Sequence, residues 1–239
     1  MRIAGYTGGM SEHSRSYHQY CPIAHALDLV GDRWALLIVR DLFLGPKRYT
    51  DLREALPGTG SNILTARLKA LEGASIIRRR TLPPPAASTV YELTPHGQGL
   101  EGVLTALGQW GARSLGAREL DQVVSPESVM LAGRALVAAL APALGTARVG
   151  VRVADGDGVG ETFDVRVEGS AVVAVTRELV PDPDLALRTD VETLYAVAAG
   201  RLSLSEAVVD GTAYLSGVPG LAAVAVGDGN TSGPAHAGM

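Results

Sequence analysis

From residue 22 onward the apolar positions of the chain fall at helical spacing. Ile23, Leu27 and Val30 mark a first helix that breaks at Gly31. Asp32 is placed to cap a second, in which Leu36, Leu37, Ile38, Val39, Leu42 and Phe43 make a broad apolar core helix stopped by Gly45 and Pro46. In RYTDLREAL, Thr50 is an expected N-cap, and Leu52 and Leu56, four apart, share the inward face. After the turn Pro57-Gly58-Thr59-Gly60 comes a helix starting near Ser61 with two distinct faces. At about 100° per residue, Leu64, Leu68 and Leu71 form an apolar stripe, while Asn62, Thr65, Ala66 and Lys69 project from the other side. Gly73 ends this helix. Ile76 to Leu82 and Thr89 to Leu93 are short strand candidates joined by the tip Pro83-Pro84-Pro85-Ala86-Ala87. Two helices joined by a tight turn and followed by a hairpin describe a winged helix-turn-helix. Leu100, Val103, Leu104, Leu107 and Trp110 then recur at helical spacing outside that compact motif, a stripe suited to pairing with a second protomer.

The second half has a different rhythm. Residues 117 to 128 are polar enough for a linker, and SPESVMLAGRALVAALAPAL is an apolar helix. Val149, Val151 and Val153 alternate, Asp155-Gly156-Asp157-Gly158 turns the chain, and Phe163, Val165 and Val167 alternate again, as in an antiparallel meander. Two short helices separated at Gly200, a strand in TAYLSG and a last helix in PGLAAVAV complete residues 125 to 226. The expected class is α+β: a winged helix-turn-helix over residues 21 to 118, then a smaller domain of antiparallel sheet and helices. Residues 1 to 20 read as a flexible arm without a signal-peptide core, and residues 227 to 239 as a disordered tail.

Composition adds bounds. A chain of 239 residues fits two modest domains. With 46% hydrophobic residues and no uninterrupted apolar run near the roughly 20 residues that span a bilayer, a soluble cytoplasmic protein is expected, with no membrane partner. The single cysteine, Cys21, excludes an intrachain disulfide framework.

Charge changes the picture more than composition does. Residues 1 to 119 carry 14 Arg or Lys against 10 Asp or Glu, and residues 120 to 239 carry 7 against 15. Eight basic residues face three acids between residues 47 and 80, which suits a polyanion. Asn62, Thr65 and Lys69, with Ser61 and Ala66 on the same helix, are the residues expected to enter a major groove. Arg48, Thr50 and the helix ends would hold phosphates, and Arg78, Arg79 and Arg80 on the wing would neutralise the backbone or reach a minor groove. The alternative is a solvated helix face and a sheet edge guarded by charge.

Catalysis is not expected and no cofactor signature appears. His13, His18, His25, His96 and His236 are scattered. The Asp-Gly-Asp-Gly run lacks a closing acid, since position 166 is Arg166. There is neither a phosphate-cradling glycine loop nor a Gly-x-Ser-x-Gly elbow.

Several local motifs stand together in order: Cys21-Pro22, Gly31-Asp32-Arg33-Trp34, Arg40-Asp41-Leu42, the Leu-Thr-x-Arg-Leu-Lys-x-Leu-Glu helix, and Tyr91-x-Leu-Thr-x-x-Gly after the wing. Through them residues 21 to 111 resemble the HxlR-type winged-helix transcription regulators of bacteria. The resemblance implies a homodimer formed through the first and last helices of the domain, bound to a pseudo-palindromic operator in double-stranded DNA. The apolar wing tip departs from the family pattern. Some members sense oxidants or electrophiles with a cysteine where Cys21 stands, at a helix start; other proteins bury such a cysteine as a small hydrophobe. With one cysteine, any protein disulfide must join two chains, and otherwise a small molecule would cap the thiol.

Residues 125 to 226 resemble a sterol-carrier-like domain through Leu185-Ala186-Leu187-Arg188-Thr189-Asp190, Glu192-Thr193-Leu194, Ala199-Gly200-Arg201-Leu202-Ser203 and Asp210-Gly211. That likeness implies an apolar or acyl small-molecule effector; a dry, packed domain that assists assembly is the alternative. A small-molecule or lipid carrier, whose winged helix serves only assembly, is the competing function.

Overall fold

A computed structural model describes residues 16–85, 87–119, 121–154, 156, 160–177 and 180–227. The arm before residue 16, most of the Asp155 to Gly158 turn and the tail after Gly227 lie outside the described residues. The chain divides into two compact units, Met1–Leu104 and Thr105–Met239, each described by itself.

The first unit opens with α1 (Pro22–Val30), which has Cys21 at its N-cap and Pro22 in its first turn, where a missing N–H is harmless. Its apolar stripe splits: Ala24 and Val30 are buried, whereas Ile23 is 72% exposed and Leu27 44%. Helix α2 (Ala35–Leu42) is capped by Trp34 and not by Asp32. Trp34 has φ +80°, a conformation rare for a bulky residue, and the Arg33 guanidinium lies 5.3 Å from its ring centroid. Asp32 has another task, an ion pair with Arg67.

A two-residue strand, β1 (Lys47–Arg48), precedes α3 (Tyr49–Ala55). The N-cap of α3 is Arg48, and Asp51 closes the turn by accepting the Arg48 N–H at 2.9 Å. Thr50 therefore lies inside the helix and does not cap it. Helix α4 (Ser61–Gly73) buries Leu64, Leu68 and Leu71. The wing is β2 (Ile77–Thr81) with β3 (Thr89–Leu93); β1 pairs with the far edge of β3, giving the order β1-β3-β2. A short helix α5 (Pro95–Gln98) and α6 (Glu101–Ala112) follow, and the division between the units falls within α6.

The Thr94-x-x-Gly97 motif has a physical cause here. The Thr94 hydroxyl donates to the Ser75 carbonyl at 2.6 Å and accepts the Gly97 N–H at 3.1 Å, so one side chain caps α5 and ties it to the base of the wing. A Cβ on Gly97 would lie 2.1 Å from the Ile76 carbonyl oxygen, so only glycine fits.

The second unit is a five-stranded sheet with helices. Helix α7 (Pro126–Leu144) leads into β4 (Ala147–Ala154), β5 (Thr162–Glu168), β6 (Ala171–Thr176) and β7 (Leu185–Asp190), then α8 (Val191–Ala198), α9 (Leu204–Val209), β8 (Ala213–Gly217) and α10 (Pro219–Gly227). The order is β6-β5-β4-β7-β8. The sheet is mixed: β4 and β7 run parallel, contrary to the wholly antiparallel expectation, because the chain crosses from β6 past β5 and β4 to reach β4's free edge. Helix α7 has the length and apolar composition of a membrane span. Its Val129, Met130, Leu136, Val137, Ala141 and Leu144 are buried within this unit, as in a core helix.

Helix α7 approaches the sheet closely at Gly133. A Cβ there would meet the ring of Phe163, itself fully buried, at 2.3 Å. Gly133→Ala should therefore lower the stability of this unit by about 1–3 kcal/mol through overpacking, despite alanine's better helix propensity. Thermal denaturation checks this, and adding Phe163→Leu should recover part of the loss.

Candidate nucleic-acid interface

With its three leucines facing inward, α4 presents Ser61, Asn62, Thr65, Ala66 and Lys69 to solvent, all exposed. The phenol of Tyr49 donates to the Ser61 carbonyl at 3.1 Å, linking the starts of α3 and α4. The Asp32–Arg67 pair ties the turn before α2 to the flank of α4. Ile63, 47% exposed, lies beside the polar set and is an addition to it. Its signal in the sequence was an apolar residue outside the leucine stripe, and a methyl-bearing side chain there can meet a thymine methyl group.

The cations are placed differently from a bare arginine row. Arg48 is exposed, yet its guanidinium is bonded to Asp51 at 2.9–3.2 Å. Neighbouring strand positions face opposite ways, so the three wing arginines divide. Arg78 and Arg80 both reach Glu92, at 2.7 and 2.9 Å, while Arg79 makes a two-point contact with Glu72 near the end of α4 at 2.7–3.1 Å. The Glu72 carboxyl is held below its ordinary value chiefly by the hydrogen bonds from Arg79. Partial burial works to raise Glu92, but the hydrogen bonds and charges of Arg80 and Arg78 outweigh it and hold that carboxyl low as well. Thr50 is exposed, with its hydroxyl 3.4 Å from Asp51. Lys69 has no ion pair among the described residues.

The expected protomer-contact stripe on α6 also divides. Leu104 is buried in its own chain and Leu100 is half-buried, whereas Val103, Leu107 and Trp110 remain exposed, Trp110 at 69%. Cys21 is half-buried, with no side-chain bond to the helix it caps.

The geometry so far is an exposed polar helix held on a leucine core beside an arginine-bearing wing. The family model of HxlR-like helix-turn-helix proteins matches residues 29–119. A helix-turn-helix transcriptional regulator of Synechocystis, sll1512, is 39% identical over 92 residues, covering 38% of this chain and 68% of the relative. The chain belongs to the HxlR-like helix-turn-helix family. The helix-turn-helix transcriptional regulator YodB of Bacillus subtilis is 36% identical over 91 residues, 38% of this chain and 81% of its own. The solved structure of its reduced form aligns at 32% identity with a TM-score of 0.37, covering 42% of this chain and 100% of that one. These relatives are helix-turn-helix transcriptional regulators, and the N-terminal part of this chain is accordingly that of a DNA-binding regulator.

The wing pairs lead to a test. Glu92→Gln removes the carboxylate charge that Arg78 and Arg80 share, so non-specific duplex affinity should rise and the log-affinity against log-salt slope should steepen by about one to two. Fluorescence anisotropy across salt concentrations reads both. Because Glu72 and Glu92 titrate below their ordinary range in the folded state, their pairs contribute fully at neutral pH. That contribution is lost as pH falls below the ordinary glutamate range.

Proposed function

We propose that the protein is a homodimeric regulator that places α4 of each protomer in a major groove of a pseudo-palindromic operator. The carrying observation is the division of α4 into a fully buried leucine face and an exposed face of Asn62, Thr65, Ala66 and Lys69. Asn62 offers an amide suited to an adenine edge, Lys69 a donor to guanine or phosphate, and Ser61, Thr50 and Arg48 lie at helix starts, where phosphates bind. Arg78, Arg79 and Arg80 exchange Glu92 and Glu72 for phosphates when the wing meets the backbone. The exposed apolar side chains of α1 and α6, Ile23, Leu27, Val103, Leu107 and Trp110, fit burial against a second copy. Such a regulator works in the cytoplasm, where the chromosome is.

The second unit is the effector-responsive part in this reading. Its sterol-carrier-like segments suggest an apolar or acyl ligand. Against that, the direct contact of Gly133 with Phe163 leaves no space between helix and sheet at that point. In this reading Cys21, half-buried at the start of α1, is the group that would give a thiol-based response. YodB has been solved in a reduced and a quinone-bound form, which supports asking the same of this chain.

Asn62→Ala should relax sequence preference by about 1–3 kcal/mol at one base step, and Lys69→Ala should weaken all duplexes alike and flatten the salt slope by about one. Anisotropy with upstream DNA and a scrambled duplex reads both; unchanged affinity and preference in the two variants would remove the proposed recognition face. Trp110→Arg should shift the protein toward monomer in sedimentation and weaken operator binding, whereas a carrier protein would keep its apolar-ligand uptake without salt-sensitive duplex binding. Diamide or a quinone should release operator from the wild type and not from Cys21→Ser, if the thiol is the sensor.

A further inference from the structure

The sheet of the second unit has one face turned to its own core and one open. Val149, Val151, Val153, Phe163, Val165, Val167, Leu185 and Leu187 alternate inward and are buried. The intervening positions face outward, and strand register arranges them in three rows. Arg148 stands opposite Arg166. Two residues along, Thr176, Asp164, Gly150, Ala186 and Ser216 form a continuous row across all five strands. Two further along, Thr162, Arg152, Arg188 and Tyr214 form the third. A floor of small residues thus lies between two arginine pairs that are four residues apart on β4, about 13 Å at 3.3 Å per residue.

This arrangement works against the stability of the sheet. Like charges directly opposite one another destabilise a strand pair, and here that happens twice on one face. The four arginines are exposed and are four of the seven basic residues in a half that carries 15 acids. Arg166 has one acidic partner, Glu168 at 3.3 Å, with both side chains mostly exposed. Arg148, Arg152 and Arg188 have no side-chain ion pair among the described residues. Asp184, beside this face, accepts the Arg148 backbone N–H and leaves that guanidinium free.

Asp164, in the middle row, is 4% exposed and its Oδ2 has no hydrogen-bond partner. It lines a depression of about 70 Å³ together with Arg166, Ala174 and Thr176. Burial raises the Asp164 carboxyl above its ordinary value; Arg148 opposes that shift and Asp184 adds to it. A buried polar atom without a partner beside a depression, next to cations without partners, leaves two complementary deficits in one place.

We propose that this open sheet face binds a compact organic dianion, one acidic group seated by Arg148 and Arg166 over the depression beside Asp164 and the other held by Arg152 and Arg188. The depression is far below the roughly 300 Å³ of a pocket that engulfs a ligand, so it takes a head group while the remainder lies along Gly150, Ala186 and Ser216. Arginine's planar fork suits carboxylate and phosphate groups alike. A long polyanion is the poorer fit, since the surrounding half is strongly acidic and Asp164 interrupts the positive field. In its neutral form Asp164 donates to the bound anion, and in its ionised form it repels it. The proposal rests on reading the second unit as the effector-responsive part.

Calorimetry on the full-length protein without DNA tests the site separately from the operator reading. Butane-1,4-diyl bis(methyl phosphate) and adipate, at matched ionic strength, probe the phosphate and carboxylate forms of the dianion, with acetate as the monoanion control. Saturable binding of one per chain by either dianion is expected, weakened at least tenfold in Arg152→Gln/Arg188→Gln and in Arg148→Gln, and tightened several-fold in Asp164→Asn, which keeps a donor and removes the charge. Without ligand, the arginine variants should melt no lower than wild type, because like-charge pairs have been relieved. No saturable binding by either dianion, or equal binding in wild type and arginine variants, would overturn the site. Loss of operator salt dependence in the arginine variants with no dianion binding would overturn it too, and would assign the face to DNA.

Discussion

Leu64, Leu68 and Leu71 carry α4 into the core of the N-terminal unit, each no more than 2% exposed. Burying a leucine contributes about 1.5–3 kcal/mol, so rotating α4 about its axis would expose the three together. That burial decides which side of α4 faces outward. The surrounding contacts then fix its tilt: Asp32 with Arg67 on one flank, the Tyr49 phenol at its start, and Arg79 with Glu72 near its end. The exposed polar pairs contribute little free energy individually. Their value lies in geometry, since they tie α4 to its neighbours at its start, along one flank and near its end.

Much of this unit was legible in the sequence because its signals are local. Helical spacing located α1, α2, α4 and α6, and the wing strands alternate beside a proline-rich tip. The misreadings have two causes, a backbone turn displaced from the expected cap and a partner supplied by another element. Asp32 and Thr50 have the chemistry of caps, but the backbone turns two residues away from each, at Trp34 and Arg48. The three consecutive arginines look like one phosphate-facing row until the wing folds and sets Glu92 and Glu72 against opposite sides of it. Strand β1 was missed because two residues carry no periodicity, and Leu104 cannot be told from Val103 or Leu107 by spacing alone.

The second unit was legible as alternation and less so as topology. Alternating valines mark strands but not their neighbours, and the parallel pairing of β4 with β7 depends on a crossover that no local pattern records. The same limit hid the arginine face. Arg148, Arg152, Arg166 and Arg188 are spread over 41 positions of an acidic half, and only register brings them together in two opposed pairs.

The two units treat arginine in opposite ways, and the contrast follows from their surroundings. In the wing, each arginine has an acid within hydrogen-bond reach, so the wing presents little bare positive charge, and in the proposed complex a phosphate would compete with a carboxylate. In the proposed operator complex that exchange would lower affinity for arbitrary DNA more than for a site where α4 also makes base contacts, because only the second would offset the lost pairs. On the C-terminal sheet no such acids are supplied to three of the four arginines, and the opposed like charges lower stability while the face is empty. A fold tolerates that where the charge is neutralised from outside, since the relief of repulsion then adds to the binding free energy itself. The wing cations are thus neutralised within the fold, whereas three of the four sheet arginines are left to a partner from outside it, the ligand proposed above.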